Sequence, residues 1–240
     1  MIFSINFSEQ GDDGLKQRTR ENLDRLRYNR ILKMTNRHKK EYYNEGGCGL
    51  EIEFAVEYEP RCRVYIGTGL QKLKDFVGSR GKFTTDPSIG SFLNVEIVLR
   101  PFPRDELHEI FSGIVDILSF YENFKFTDHC GVHATFRAEA DLKKAFYEVL
   151  TDGRYDSSRF RHNKYKADFM KTATTSSGRL RSYEEYITYQ EKVGTKYCGV
   201  NFLKAHLVEI RTLNLDWDDV TFFYDAYEEA EARIAAQTAQ

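Results

Sequence analysis

Carboxylates recur inside apolar, strand-like segments of this 240-residue sequence. In the segment GLEIEF, Glu51 and Glu53 alternate with three apolar residues, so both glutamates lie on the face opposite the apolar side chains. Two carboxylates next to each other on one face repel. Their placement therefore predicts a cation between or beside them, such as a divalent metal ion.

Three further segments have the same character. VEIVL contains Glu96, VEIRT contains Glu209 with Arg211 on the same strand face, and GVHATF contains His133. If these strands belong to one sheet, their polar faces converge. Carboxylates with one imidazole and no cysteine favour Mg²⁺ or Mn²⁺ over zinc. The alternative for any one segment is the solvent face of an antiparallel sheet.

An arginine next to such a metal site indicates a particular chemistry. Mg²⁺ usually completes its coordination shell with phosphate oxygens, and a guanidinium such as that of Arg211 suits a transferring phosphoryl group. The sequence contains no GxxxxGK[ST] motif, and GCGLEI does not fit GxGxxG, so the common nucleotide-binding folds are excluded. The residues by themselves predict a divalent metal and phosphate.

The elements that must position these residues follow from periodicity and from Gly and Pro. Helices and strands alternate without a regular βαβ rhythm, which predicts an α+β fold with a mostly antiparallel sheet. The predicted strands cover about 48–58, 63–67, 93–99, 130–137 and 204–213. The predicted helices cover 15–40, 105–118, 141–150, 182–192 and 217–236, and a basic loop or lid covers 152–181.

Composition is that of a soluble globular protein, with 41% hydrophobic and 30% charged residues and a formal net charge of −2. No apolar run reaches the length of a membrane span, and the N-terminus lacks the pattern of a signal peptide. We therefore expect a cytoplasmic protein that does not contact membranes. The four cysteines are far apart in sequence and are expected to be free thiols.

Basic charge is concentrated near the N-terminus. Residues 16–40 contain ten Lys or Arg and two acids, and we expect them to contact an anionic partner, although a solvated helix face is the alternative. The predicted organisation is a basic helical segment over residues 1–45 and a catalytic domain over residues 46–240.

Four groups of segments, taken in order, resemble the motifs of the amidoligase family: GLEIEF, DPSIG with NVEIVLRP, CGVHATF, and KYCGVN with LVEIRTLNL. These carboxylate–amine ligases are related to glutamine synthetase and glutamate–cysteine ligase. The similarity extends from about residue 49 to residue 217. It implies an antiparallel sheet curved into an active-site cleft and flanked by helices. It also implies ATP and Mg²⁺ (Mn²⁺ as a substitute), and amide formation from a carboxylate and an amine through an acyl phosphate.

The resemblance also implies roles for individual residues. The metal ligands would be Glu51, Glu53, Glu96, Glu209 and His133. Arg211 and His133 would be catalytic. The nucleotide contacts would be Lys196, Asn201, Arg211 and Arg159, and Asp86 would contact substrate.

One position departs from the family pattern. Thr135 stands where the family often has a second histidine, which predicts slower, altered or absent chemistry. Two other functions stay open: a non-catalytic binding protein on a degenerate ligase scaffold, and a metal-dependent nuclease or phosphohydrolase. The carboxylate, the amine and the oligomeric state are not determined by the sequence.

Overall fold

A computed structural model describes residues 10–33, 47–85, 92–153, 169–195 and 198–239. Its centre is an antiparallel sheet of seven strands. The strands are β1 (Cys48–Val56), β2 (Gly81–Thr84), β3 (Leu93–Leu99), β4 (Phe124–Lys125), β5 (Val132–Arg137), β6 (Val200–Asn201) and β7 (Leu207–Leu213). Their order is β2-β3-β1-β5-β7-β6, and β4 also pairs with β1. The central position of β1 brings both neighbouring strands to the GLEIEF segment.

The described residues form seven α-helices, which together with the sheet confirm the α+β class. They are α1 (Gln10–Lys33), α2 (Arg63–Val77), α3 (Arg104–Phe120), α4 (Ala140–Thr151), α5 (Phe169–Ala173), α6 (Tyr183–Val193) and α7 (Trp217–Thr238). Short 3-10 turns precede and follow α2. None of the helices in the described ranges combines the length and apolar character that crossing a membrane requires.

One hydrophobic core joins the sheet to the helices. Leu50, Ile52 and Phe54 alternate along β1 and are fully buried, in the same cluster as the apolar residues of α2, α3, α4 and α7. This alternation follows from the twofold period of a strand, which puts the intervening glutamates on the opposite face. Burial of the apolar face is the main favourable term in the stability of such a sheet.

The prediction of a strand over residues 63–67 is wrong, because this segment is the first part of α2. Isoleucine, valine and tyrosine favour strands locally. The buried positions Ile66, Leu70, Leu73 and Val77 nevertheless recur at helical spacing and pack into the core. Tertiary packing of that stripe outweighs local propensity. Strand β2 also lies in a stretch for which the sequence indicated no regular structure.

Other predicted elements are confirmed with shifted ends. The strand predicted over 204–213 begins at residue 207, because 204–206 form a turn in which His206 has a φ of 56°. In the predicted loop or lid, residues 169–173 are helical, and Thr174 pairs with Leu180 in an isolated bridge. Residues 154–168 of that loop, and 34–40 of the first predicted helix, lie outside the described residues.

The basic helix α1 packs against α2. Asp24 is 2% exposed, lies 3.0 Å from Nε of Arg63, and accepts a hydrogen bond of 2.9 Å from the hydroxyl of Tyr58. The hydroxyl of Tyr28 donates to the carbonyl of Arg63, and Leu32 is buried in the common core. The division of the chain at residue 45 stays a prediction, but α1 shares the core of the sheet domain.

Candidate metal centre

Strand register brings the predicted acids together. Glu53 on β1 lies opposite Glu96 on β3, and Glu51 lies opposite His133 on β5. Residues directly opposite each other in an antiparallel pair point to the same face. Four of the predicted site residues therefore share one face across three adjacent strands.

The same face continues across the next two strands. Thr135 on β5 lies opposite Glu209 on β7, which in turn lies opposite Asn201 on β6. Thr135, the residue in place of the second histidine, is 8% exposed, while Glu209 and Asn201 are 3% and 4% exposed. The polar face near β7 is thus largely sheltered from solvent. Buried carboxylates need cations or hydrogen-bond donors nearby.

Glu51, His133 and Glu209 form the tightest group. Each offers one ligand atom, and the three atoms lie within 4.8 Å of one another. Nδ1 of His133 lies 3.2 Å from Oε2 of Glu51, and its Nε2 lies 3.9 Å from Oε1 of Glu53. In the tautomer that donates Nδ1–H to Glu51, the lone pair of the imidazole is on Nε2.

Glu209 is surrounded by donors from its own chain. Its Oε2 accepts a hydrogen bond of 3.1 Å from Nδ2 of Asn201 and lies 3.9 Å from Nε of Arg211. Its Oε1 lies 3.0 Å from Nζ of Lys204. Sequence reasoning missed Lys204, which lies in the turn between β6 and β7. The only signal was a basic residue in a short connection between two segments of the site.

These cations lower the pKa values of the two central glutamates. Burial raises the pKa of Glu51, but the hydrogen bond and charge of His133, with Lys204 and Arg211, bring it below its ordinary value. Burial likewise raises the pKa of Glu209, and the charges of Arg211, Lys204 and His133 outweigh that effect. Both groups are therefore carboxylates at neutral pH, which is the form that binds metal.

A β-bulge interrupts the pairing of β5 with β7 at His133. Between Val132 and Ala134 the register with β7 shifts, so that two residues of β7 oppose the single residue His133. Bulges of this kind are common next to functional sites because they redirect a side chain. Nε of Arg211, one of the two opposing residues, is buried and has no hydrogen-bond partner among the described residues. Its N–H is thus left for an anionic oxygen.

The donor set fits a divalent cation. Ligands on opposite sides of a Mg²⁺ ion stand about 4.2 Å apart, so atoms within 4.8 Å of one another need only small side-chain adjustments. Two carboxylates suit Mg²⁺ and Mn²⁺, while the imidazole adds preference for Mn²⁺. Glu53 lies beside this group, and the half-buried Glu96 lies one strand further away.

Three predicted residues are not placed. Asp86, Arg159 and Lys196 lie outside the described residues. The predicted substrate contact and two of the predicted nucleotide contacts therefore stay predictions. The metal-site acids, His133, Asn201 and Arg211 all lie on the polar face.

No protein-family model, curated protein or solved structure matches this chain. The interpretation of the site depends on its own geometry.

Proposed function

We propose that this protein is an ATP- and Mg²⁺-dependent carboxylate–amine ligase with a glutamine synthetase-like catalytic fold. The observation that supports the proposal is the polar face of the sheet, where Glu51, His133 and Glu209 converge beside Arg211, whose Nε–H has no hydrogen-bond partner among the described residues. A metal-binding group next to a guanidinium suits phosphoryl transfer better than simple metal storage. The antiparallel sheet with one helix-covered face is compatible with such a fold.

In the proposed reaction a carboxylate oxygen of the substrate attacks the γ-phosphorus of ATP, and ADP leaves. The amine then attacks the carbonyl carbon of the acyl phosphate, inorganic phosphate leaves, and the amine loses a proton. The bound metal would supply neutralisation of phosphate charge. Glu51, His133 and Glu209 would hold it.

The chain's own residues would divide the remaining tasks. Arg211 would donate its free Nε–H to a phosphoryl oxygen, where a guanidinium stabilises developing negative charge. Asn201 would keep the Glu209 carboxylate in place through its hydrogen bond of 3.1 Å. His133, held at 3.2 Å from Glu51, would orient that carboxylate through Nδ1 while Nε2 faces the metal.

Thermal unfolding with a non-hydrolysable ATP analogue tests this proposal without knowledge of the substrates. We expect Mg²⁺-dependent stabilisation of the natural protein, about 2.7 kcal/mol when the ligand is present at 100 times its dissociation constant. Glu51→Gln should abolish it. Glu57→Gln removes an exposed carboxylate just beyond the same strand and should leave the stabilisation intact. Equal stabilisation of both variants would contradict the proposal.

A second candidate function is supported by the surface of α1, which could bind an anionic macromolecule. Lys16, Arg20, Leu23, Arg27 and Arg30 follow a helical stripe and are exposed, with Leu23 61% exposed. Asp24, one of the acids of this helix, is buried against Arg63 and does not contribute to the exposed surface.

Binding of a labelled single-stranded RNA at two salt concentrations tests the second candidate. Affinity that falls steeply with salt, and that is lost in the Arg20→Glu, Arg27→Glu double variant, would support it. RNA binding that is unchanged in the double variant would exclude α1 as the contact surface.

A further inference from the structure

Lys204 lies at an oxygen of Glu209 that a bound metal ion could also use. Its ammonium lies 3.0 Å from Oε1, while Oε2 is engaged by Asn201 at 3.1 Å and lies 3.9 Å from Arg211. Both oxygens of the carboxylate thus face donors of the same chain. A divalent cation that binds Oε1 of Glu209 would lie close to the Lys204 ammonium, and the two positive charges would repel each other.

Lys204 is the donor that can withdraw most easily. The side chain of Asn201 is buried and is fixed from its other end, since its Oδ1 accepts from the backbone N–H of Leu203 at 3.0 Å. The Arg211 side chain is 21% exposed, against 39% for Lys204. A lysine has a flexible four-carbon stem, and its ammonium is well hydrated when released.

The backbone around Lys204 is held independently of its side chain. Nζ of the buried Lys143 donates to the carbonyl oxygens of Phe202 and Lys204. The carbonyl of His206 accepts from the N–H of Ala138 at 2.9 Å. The turn can therefore keep its shape while the Lys204 side chain moves away from Glu209.

We propose that Lys204 is an internal counter-cation that neutralises Glu209 in the metal-free protein and competes with the divalent cation for that carboxylate. The inference rests on the proposed function, because it requires metal at Glu209. It gives Lys204 a role in setting metal affinity. Without a metal, the ammonium offsets part of the free-energy cost of burying the Glu209 carboxylate. With a metal it is displaced toward solvent.

Titration of the full chain with Mn²⁺, followed by calorimetry and by the electron paramagnetic resonance signal of free Mn²⁺, tests the inference. Lys204→Met should lower the dissociation constant about tenfold, because it removes a positive charge next to the bound ion. Lys204→Arg keeps the charge and should stay near the natural value. Lys144→Met, an exposed lysine paired with Glu184, controls for the loss of a lysine elsewhere.

The possible results distinguish a failure of the proposed role of Lys204 from a failure of the proposed metal site. Tighter Mn²⁺ binding in Lys204→Met alone, or binding that appears only in that variant, supports the inference. Unchanged or weaker binding in Lys204→Met overturns it and leaves the metal centre standing. Absence of binding in both the natural protein and Lys204→Met, at millimolar Mn²⁺ and with unchanged unfolding temperatures, overturns the inference together with the proposed metal site.

Discussion

At the scale of single residues, the buried Nε–H of Arg211 has no hydrogen-bond partner among the described residues, as is also true of the buried Nε of Arg100. Buried donors are nearly always paired, and under the proposed function an anionic substrate oxygen would pair with that of Arg211 beside the clustered carboxylates. Its neighbour Glu209 cannot fill this role, because Nε and Oε2 are separated by 3.9 Å. Under the proposed function, a phosphate oxygen of the nucleotide would accept this hydrogen bond.

Replacement of Arg211 tests this interpretation. We expect Arg211→Met to weaken binding of a non-hydrolysable ATP analogue at least tenfold, on the order of 1.4 kcal/mol or more, since a charged hydrogen bond to phosphate is lost. Arg211→Lys should restore only part of the affinity, because an ammonium lacks the planar fork. Equilibrium binding of the labelled analogue measures both.

A matched control is Arg104→Met, which removes a surface arginine paired with Asp225. Mn²⁺ affinity should not weaken in any of the three variants. Nucleotide binding that is equally weakened by Arg104→Met and Arg211→Met would count against a specific role for Arg211.

At the scale of elements, α2 shows how close packing fixes a helix where local preference indicates a strand. Gly67 and Gly69 lie two residues apart in this helix and face different surroundings. A Cβ at Gly69 would lie 2.8 Å from ring carbons of Phe124 and Tyr121, whereas a Cβ at Gly67 would lie 3.6 Å from Tyr28. The first position has no room for a methyl group, and the second has room.

Two alanine substitutions should therefore have opposite effects. Gly69→Ala should lower the free energy of unfolding by about 1–3 kcal/mol through overpacking. Gly67→Ala should raise it by up to about 1 kcal/mol, because alanine favours the helix and makes an ordinary contact with Tyr28. Urea unfolding of both variants measures the difference. Equal effects would mean that α2 does not pack against Phe124 as described.

The start of α6 has a capping box that depends on an ionised glutamate. Ser182 accepts from the N–H of Glu185, and the Glu185 carboxylate accepts from the N–H of Ser182 and from Arg179. The hydrogen bond from Arg179, followed by that from Ser182, lowers the pKa of Glu185 to about 2. Its ordinary value is 4.5.

This shift predicts a pH dependence with a definite sign. A carboxylate with a lowered pKa in the folded state stabilises the protein above its unfolded value and loses that contribution as pH falls from 4.5 toward about 2. Glu185→Gln should therefore lower the urea midpoint at pH 7, and the difference from the natural protein should shrink near pH 3. A difference that is independent of pH would assign the effect to packing.

At the scale of the whole molecule, α1 is the described part of the basic N-terminal region, and it is attached to the sheet domain. Asp24, nearly fully buried, is the centre of that attachment through Arg63 and Tyr58. Asp24→Ala would leave the Tyr58 hydroxyl and the guanidinium without this partner. Helix α1 should then separate from α2 at a lower free-energy cost than unfolding of the sheet requires.

Hydrogen exchange of backbone amides measures that attachment. In Asp24→Ala the amides of α1 should exchange faster, with a loss of protection of about 1–3 kcal/mol, while those of β1 and β5 change little. Glu21→Ala, which removes a less buried acid three residues earlier, serves as the control. Uniform loss of protection across the sheet would mean that α1 and the sheet form one cooperative unit.

The sequence by itself determined the class of the fold and the direction of its polar groups. Strict alternation in GLEIEF put Glu51 and Glu53 on the face opposite Leu50 and Ile52, and the structure has them there. The helices predicted over 105–118 and 217–236 are α3 and α7 with slightly shifted ends, because helix-forming patterns are local and depend on no distant residue.

Only the tertiary structure decided which of these groups meet. The register that puts Glu51 opposite His133, and Glu53 opposite Glu96, pairs residues more than forty positions apart, and no local pattern specifies it. The turn that brings Lys204 to Glu209 depends on the pairing of β6 with β7 and on hydrogen bonds from Lys143 of α4. Local patterns specify faces and elements, whereas long-range pairing specifies which residues meet. The candidate metal-binding group consists of residues from three different strands, so only the tertiary structure brings it together.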